Sequence, residues 1–184
     1  MTKPTTDNPA VRMPVSETEL KLLKQSARRL AELELRQEVK SSLSYVRVSF
    51  GGEGLFDIPR DDASELLTAA GVAWVPFVPS FIRGVVSLHG EMIAVVDLAD
   101  FFAMKPLKLT PDKLLLVVKK GRKTVGLLLD DFIDEVSFEE QALAAPMTGG
   151  SIKENYVKGV HEGLVTVLDI PAILDAVNLG GLTA

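Results

Sequence analysis

His89 and His161 are the only histidines in a chain of 184 residues that has no cysteine. Thiolate nucleophiles, thiolate metal sites and disulfides are therefore excluded, and the histidines do not stand at the i, i+4 spacing that places two ligands on one helix face. The densest acidic cluster is Asp130, Asp131, Asp134 and Glu135. Paired carboxylates perform acid/base work when their surroundings split their pKa values, but acids crowded into one strand and turn also describe a solvated sheet edge that resists aggregation. Gly51-Gly52-Glu53-Gly54 lacks the Lys and Ser/Thr of a phosphate-binding loop, and its Glu53 would repel phosphate, so it reads as a hairpin turn. Lys119-Lys120-Gly121-Arg122-Lys123 is strongly basic but holds no aromatic residue for base stacking; it reads as a solvated hairpin tip or a contact for an acidic partner. No G-x-S-x-G elbow and no dinucleotide fingerprint occurs.

The elements that would position these groups centre on Pro76–Phe102. There Pro and Gly punctuate short runs of β-branched residues, the pattern of buried strands. Phe81–Val86 and Met92–Leu98 are two such runs, and the intervening segment is too short for a crossover helix, so they predict an antiparallel hairpin turning at Gly90. A weaker copy follows at Tyr156-Val157-Lys158-Gly159-Val160 and Leu164–Leu168, closed by Asp169-Ile170. Both copies run aromatic, aliphatic, basic, Gly, Val, then an apolar strand ending in Asp-aliphatic and a helical tail. Such a repeat predicts two stacked units of one supersecondary type, with Gly84 and Gly159 at equivalent bends where a Cβ has no room.

These residues carry a family resemblance. Phe81-Ile82-Arg83-Gly84-Val85-Val86-Ser87-Leu88-His89-Gly90 with Ala94-Val95-Val96-Asp97-Leu98 resembles the signature of CheW-like chemotaxis coupling proteins, usually F-I-x-G-V-x-N-L-R-G followed by P-V-V-D-L-R. Phe56-Asp57-Ile58-Pro59 with Glu65-Leu66, and Val125-Gly126-Leu127-Leu128-Leu129-Asp130, match further motifs of the family in the same order. The resemblance spans roughly residues 44–177. Two positions depart from the pattern: His89 replaces the Arg of N-L-R-G, and Ala99 replaces the Arg of D-L-R.

What the resemblance implies is a mainly β fold of two SH3-like five-stranded β-barrels sharing a core. The implied function is that of a non-enzymatic adaptor, without cofactor, which couples the cytoplasmic tips of methyl-accepting chemoreceptors to the regulatory domain of a CheA-type histidine kinase. It further implies receptor- or kinase-binding positions at Glu65, Val85, Leu88 and His89, and in the second barrel at Gly126, Leu127 and Val136. The family pairs its Arg with the Glu of V-x-E-V, which here sets His89 beside Glu65. The competing reading, from another class, is a small-molecule-binding or enzymatic β-barrel with a pocket around Trp74, His89 and the acidic cluster.

In chain order, residues 1–15 are polar, proline-rich and aperiodic, predicting a disordered lead. Ser16-Glu17-Thr18-Glu19 has capping-box spacing and opens a predicted amphipathic helix over 16–40, with Leu20, Leu23, Ala27 and Leu30 in one stripe. That stripe packs back on its own domain, docks a partner or a second copy, or belongs to a solvated stalk. Strands are expected from residue 43, with a first barrel over about 43–105 and a second over about 112–180, joined by a Pro-containing connector at 105–112. Residues 61–70 read as a short helical or irregular stretch, Trp74 as a packing anchor more than a ligand platform, and 171–177 as a C-terminal helix. The formal charge of −5 and pI near 5.1 disfavour nucleic acid and anionic lipid as partners. With every apolar run interrupted before bilayer length, the sequence predicts a soluble cytoplasmic protein without membrane insertion. The resemblance implies its recruitment to membrane receptor arrays.

Overall fold

A computed structural model describes residues 42–52, 54–146 and 152–177. The predicted lead at 1–15 and the helix at 16–40, with its stripe of Leu20, Leu23, Ala27 and Leu30, lie outside the described residues.

The described chain is mainly β. Strands β1 (Ser42–Ser49) and β2 (Leu55–Pro59) form the first hairpin, pairing Tyr45 with Pro59 and Val48 with Phe56. Strand β3 (Ala63–Thr68) replaces the helical or irregular stretch expected at 61–70. Its polar Ser64 and Glu65 hide the strand locally, but pairing with β6 (Leu114–Lys120) sets Leu66 opposite Leu116 and imposes extended backbone. Strands β4 (Ile82–Leu88) and β5 (Glu91–Val96) are the predicted hairpin. Its two turn residues, His89 and Gly90, both have positive φ, 50° and 89°, as a type I′ reversal requires. Helix α1 (Leu98–Phe101) follows, then β6 and β7 (Lys123–Leu129), joined by the basic turn. Strands β8 (Asp131–Glu139), β9 (Leu143–Ala144), β10 (Val157–His161) and β11 (Val165–Leu168) precede helix α2 (Ile170–Ala176), where the C-terminal helix was expected.

Hydrogen bonding arranges these strands in two sheets. One has the order β8-β1-β2-β11-β10-β9, the other β3-β6-β7-β5-β4. The division at the 105–112 connector does not describe this pairing, because each sheet takes strands from both sides of it. The parallel contacts β2 with β11 and β5 with β7 stitch the halves together. A local reading of hairpins misses them because parallel partners are distant in sequence and leave no turn signature.

One continuous core runs through both sheets and both short helices, from Val46 and Phe50 through Val95, Leu98, Leu115 and Leu128 to Leu168 and Ile173. Each such side chain contributes about 1.5–3 kcal/mol by leaving water. Trp74 is not part of it. The indole is 78% exposed and Phe77 is fully exposed, so the expectation of a packing anchor is corrected: in this segment Val72 and Val78 pack against the core while Trp74 and Phe77 point to solvent.

Candidate docking surfaces

The repeated motif builds two equivalent corners. In the first, the Asp97 backbone N–H donates to the Phe81 carbonyl at 2.8 Å, and in the second the Asp169 N–H donates to the Tyr156 carbonyl at 2.9 Å. Each aspartate then caps the helix that follows it. Asp97 accepts from the Ala99 and Asp100 N–H groups at 3.0 and 3.3 Å, and Asp169 from the Ala172 N–H at 2.9 Å. Each copy also places its glycine at a break in register, after Ile82 and after Val157. A Cβ on Gly84 would lie 2.2 Å from the Ala73 carbonyl oxygen, and one on Gly159 2.8 Å from that of Ala144. The glycines are there because another backbone passes through the space of a side chain.

Asp97 does more than cap. It is buried, its Oδ2 accepts the Leu107 N–H at 2.9 Å, and Arg83 Nη2 reaches the same oxygen at 3.0 Å while also donating to the Leu107 carbonyl. Burial pushes the Asp97 carboxyl above its ordinary range, against the pull of the Leu107 and Asp100 N–H groups, Arg83 and the Ala99 N–H. The motif's Arg and Asp thus tie the β4–β5 hairpin to the start of the connector.

The five-stranded sheet begins at β3 and ends at β4, yet these two edges meet. His89 Nε2 lies 3.1 Å from Glu65 Oε1. Just beyond β3, Ala73 exchanges two backbone hydrogen bonds with Val85 of β4, at 2.8 and 2.9 Å. Val85 and Leu88 are half-buried on β4 near this junction, Leu88 packing against the core, and Glu65 and His89 meet across it. The remaining expected positions are elsewhere. Gly126 and Leu127 lie in β7, inside the same sheet and not a second one, and Leu127 is only 1% exposed. Both positions are buried within that sheet. Val136 is half-buried on β8, the edge of the other sheet, opposite Tyr45.

The groups of the competing reading do not converge. Asp130 pairs with Lys113 at 2.7 Å and Glu135 with Arg60 at 3.3 Å, while Asp131 and Asp134 face solvent along the β8 edge. The basic turn is likewise spread, Lys120 to Asp62 and Lys123 to Asp175. No group of three or more His, Asp or Glu side chains suited to a metal ion occurs among the described residues, and no helix among them is long and apolar enough to cross a membrane.

Three features escaped the sequence reading. Tyr45, Phe138 and His161 stack in a row, with centroids 4.3 Å and then 3.7 Å apart. Burial lifts the Tyr45 phenol above its ordinary range, with Glu140 and Asp57 adding to the effect. Arg47 and Asp57, directly opposite on β1 and β2, form a two-pronged ion pair at 2.8 Å on both arms; alternating charges on facing strands were the signal available for it. The third is the exposed pair Trp74 and Phe77, flanked by two prolines.

The model of the CheW-like domain family matches residues 44–178. The chain belongs to the CheW-like domain family. A probable chemotaxis protein CheW of Rhizobium etli is 28% identical over 54% of this chain and 66% of its own length. The Klebsiella aerogenes chemotaxis protein CheW is also 28% identical, over 53% of this chain and 61% of its own length. The protein PilI of Pseudomonas aeruginosa is 29% identical over 58% of this chain and 60% of its own. The chain thus spans a little under two thirds of these relatives. The crystal structure of the scaffolding protein TtCheW from Thermoanaerobacter tengcongensis superposes with a TM-score of 0.63 over 70% of this chain and 84% of that one, at 21% identity. This likeness supports the fold of the CheW-like domain.

Proposed function

We propose that the chain is a non-enzymatic, cytoplasmic adaptor that couples chemoreceptor tips to the regulatory domain of a CheA-type histidine kinase and is recruited to receptor arrays. The observation that carries this reading is the family match over residues 44–178, which covers both sheets and the seam where Glu65 meets His89. Contact is assigned to Glu65, Val85, Leu88 and His89 at that seam and to Val136 on β8, with Gly126 and Leu127 acting from behind as packing. Half-buried aliphatics beside a single ion pair suit a protein partner better than a small-molecule site, which needs convergent polar groups. We read the two sheets as the SH3-like barrels of the family; the Ala73–Val85 bridge between the edges of the five-stranded sheet supports closure. The helix at 16–40 is assigned to partner docking or self-association.

The test is reconstitution. The purified chain, a chemoreceptor cytoplasmic fragment and a CheA-type kinase should sediment as a ternary complex with raised autophosphorylation, and Leu88→Glu should weaken the complex without unfolding the chain. Absence of binding to both partners would reject the adaptor reading.

A further inference from the structure

A second surface lies away from the Glu65–His89 contact. Between the segment that follows β3 and the connector before β6 runs a groove of about 650 Å³, lined by Trp74, Phe77, Pro79, Leu109, Arg83 and Lys108 among others. Trp74 and Phe77 are more exposed than almost any other large apolar side chain of the described residues, and Leu109 beside them is 37% exposed. Large aromatics left in water at a concave site are a usual anchor for a partner's side chains. Phe77 also holds a φ of 61°, a backbone conformation that bulky residues seldom adopt.

Charge selects the occupant. The whole chain carries −5, yet among the described residues the only charged side chains lining this groove are the cations Arg83 and Lys108. Arg83 is engaged by buried Asp97, which leaves exposed Lys108 to face whatever enters. We propose that this groove docks an acidic, apolar segment of a partner protein. Its aromatic or aliphatic side chains seat against Trp74, Phe77 and Leu109, and its carboxylates face Lys108. This goes beyond the adaptor reading and does not rest on it, since the groove excludes Glu65, His89 and Val136.

Trp74 is the sole tryptophan, so its emission reports the groove alone. Peptides selected from a random library on the full-length chain are expected to be acidic with at least one aromatic or large aliphatic residue, and to shift Trp74 emission to the blue on binding. Their Kd should rise about tenfold in Phe77→Ser, as for a buried aromatic anchor, and measurably in Lys108→Glu, while the circular dichroism of both variants stays that of the parent. The proposal is overturned if selection yields no binder, if the binders are basic or neutral, or if they bind Phe77→Ser equally well. It is also overturned if the blue shift arises from raising the protein concentration alone, which indicates a second copy, or only with phosphatidylglycerol vesicles, which indicates a bilayer.

Discussion

His89 Nε2 stands 3.1 Å from Glu65 Oε1 although the strands that carry them are the opposite edges of a five-stranded sheet. The contact is one that a hairpin-by-hairpin reading cannot generate, because no local turn joins β3 to β4. His89 offers Glu65 a single ring nitrogen, whereas an Arg at this position would offer a two-pronged guanidinium fork.

His89→Arg is therefore expected to be tolerated and to keep a contact with Glu65, since the position is exposed and the guanidinium matches a carboxylate. The His89 side chain is highly exposed, so a double-mutant cycle of His89→Ala with Glu65→Gln should return a coupling on the order of 0–1 kcal/mol. A coupling above that range, or a His89→Arg variant that loses its fold, would show that the pair does not act as described.

Gly84→Ala should be the most damaging single methyl among the described glycines. The added Cβ meets the Ala73 carbonyl oxygen at 2.2 Å on a backbone with φ of 147°, and it must break the Ala73–Val85 bridge or distort β4. A loss of about 2–4 kcal/mol in urea unfolding is expected, at the severe end for point substitutions. Gly90→Ala, with open space around it, should cost less despite its positive φ. The reverse ranking would contradict the close approach.

Asp97→Asn keeps the shape of the side chain but turns an amide donor either toward the Leu107 N–H and Arg83 together or toward the Ala99 and Asp100 N–H groups. The expected cost is about 1–3 kcal/mol at neutral pH. Because burial lifts the native carboxyl above the unfolded value of about 3.9, the native state retains a proton that the unfolded chain has released. Stability from this group is complete below the unfolded value and is lost as pH rises through the raised native one. The stability gap between parent and variant, measured by urea titration over a pH series, should narrow across that window. A gap that widens with pH would give the opposite sign.

Removal of residues 1–40 should leave the β unit folded, since residues 41–184 form a compact unit with a core running from Val46 to Val177. Cooperative thermal unfolding and dispersed amide resonances are the expected result, with a change in self-association by sedimentation velocity. An insoluble or molten truncation would assign the segment to the core.

The sequence disclosed most where structure is local. The β4–β5 hairpin, both helix-capping aspartates and the acid-rich edge at β8 follow from periodicity, turn residues and charge. Strand β3 was hidden because its extended form comes from β6, not from Ser64 and Glu65. The make-up of each sheet was hidden for a related reason: Leu55 pairs with Val165 and Val95 with Gly126 through parallel ladders that no short window contains. At the candidate seam, Glu65 and His89 were reachable only through resemblance. Gly126 and Leu127 were matched by motif, but a motif does not tell a surface residue from one the core requires.

The exchange of strands between the two sheets has a consequence for how the protein is made. The six-stranded sheet cannot pair the second edge of β2 until β11, some of the last described residues, has left the ribosome, and the second edge of β5 likewise waits for β7. The first half of a nascent chain therefore travels with unpaired strand edges and an uncovered apolar face. Pairings so far apart in sequence make for slow folding and for exposure to aggregation meanwhile. It follows that a chain cut in the 105–112 connector should yield two pieces that are each unfolded alone, and that regain both sheets only when they are mixed.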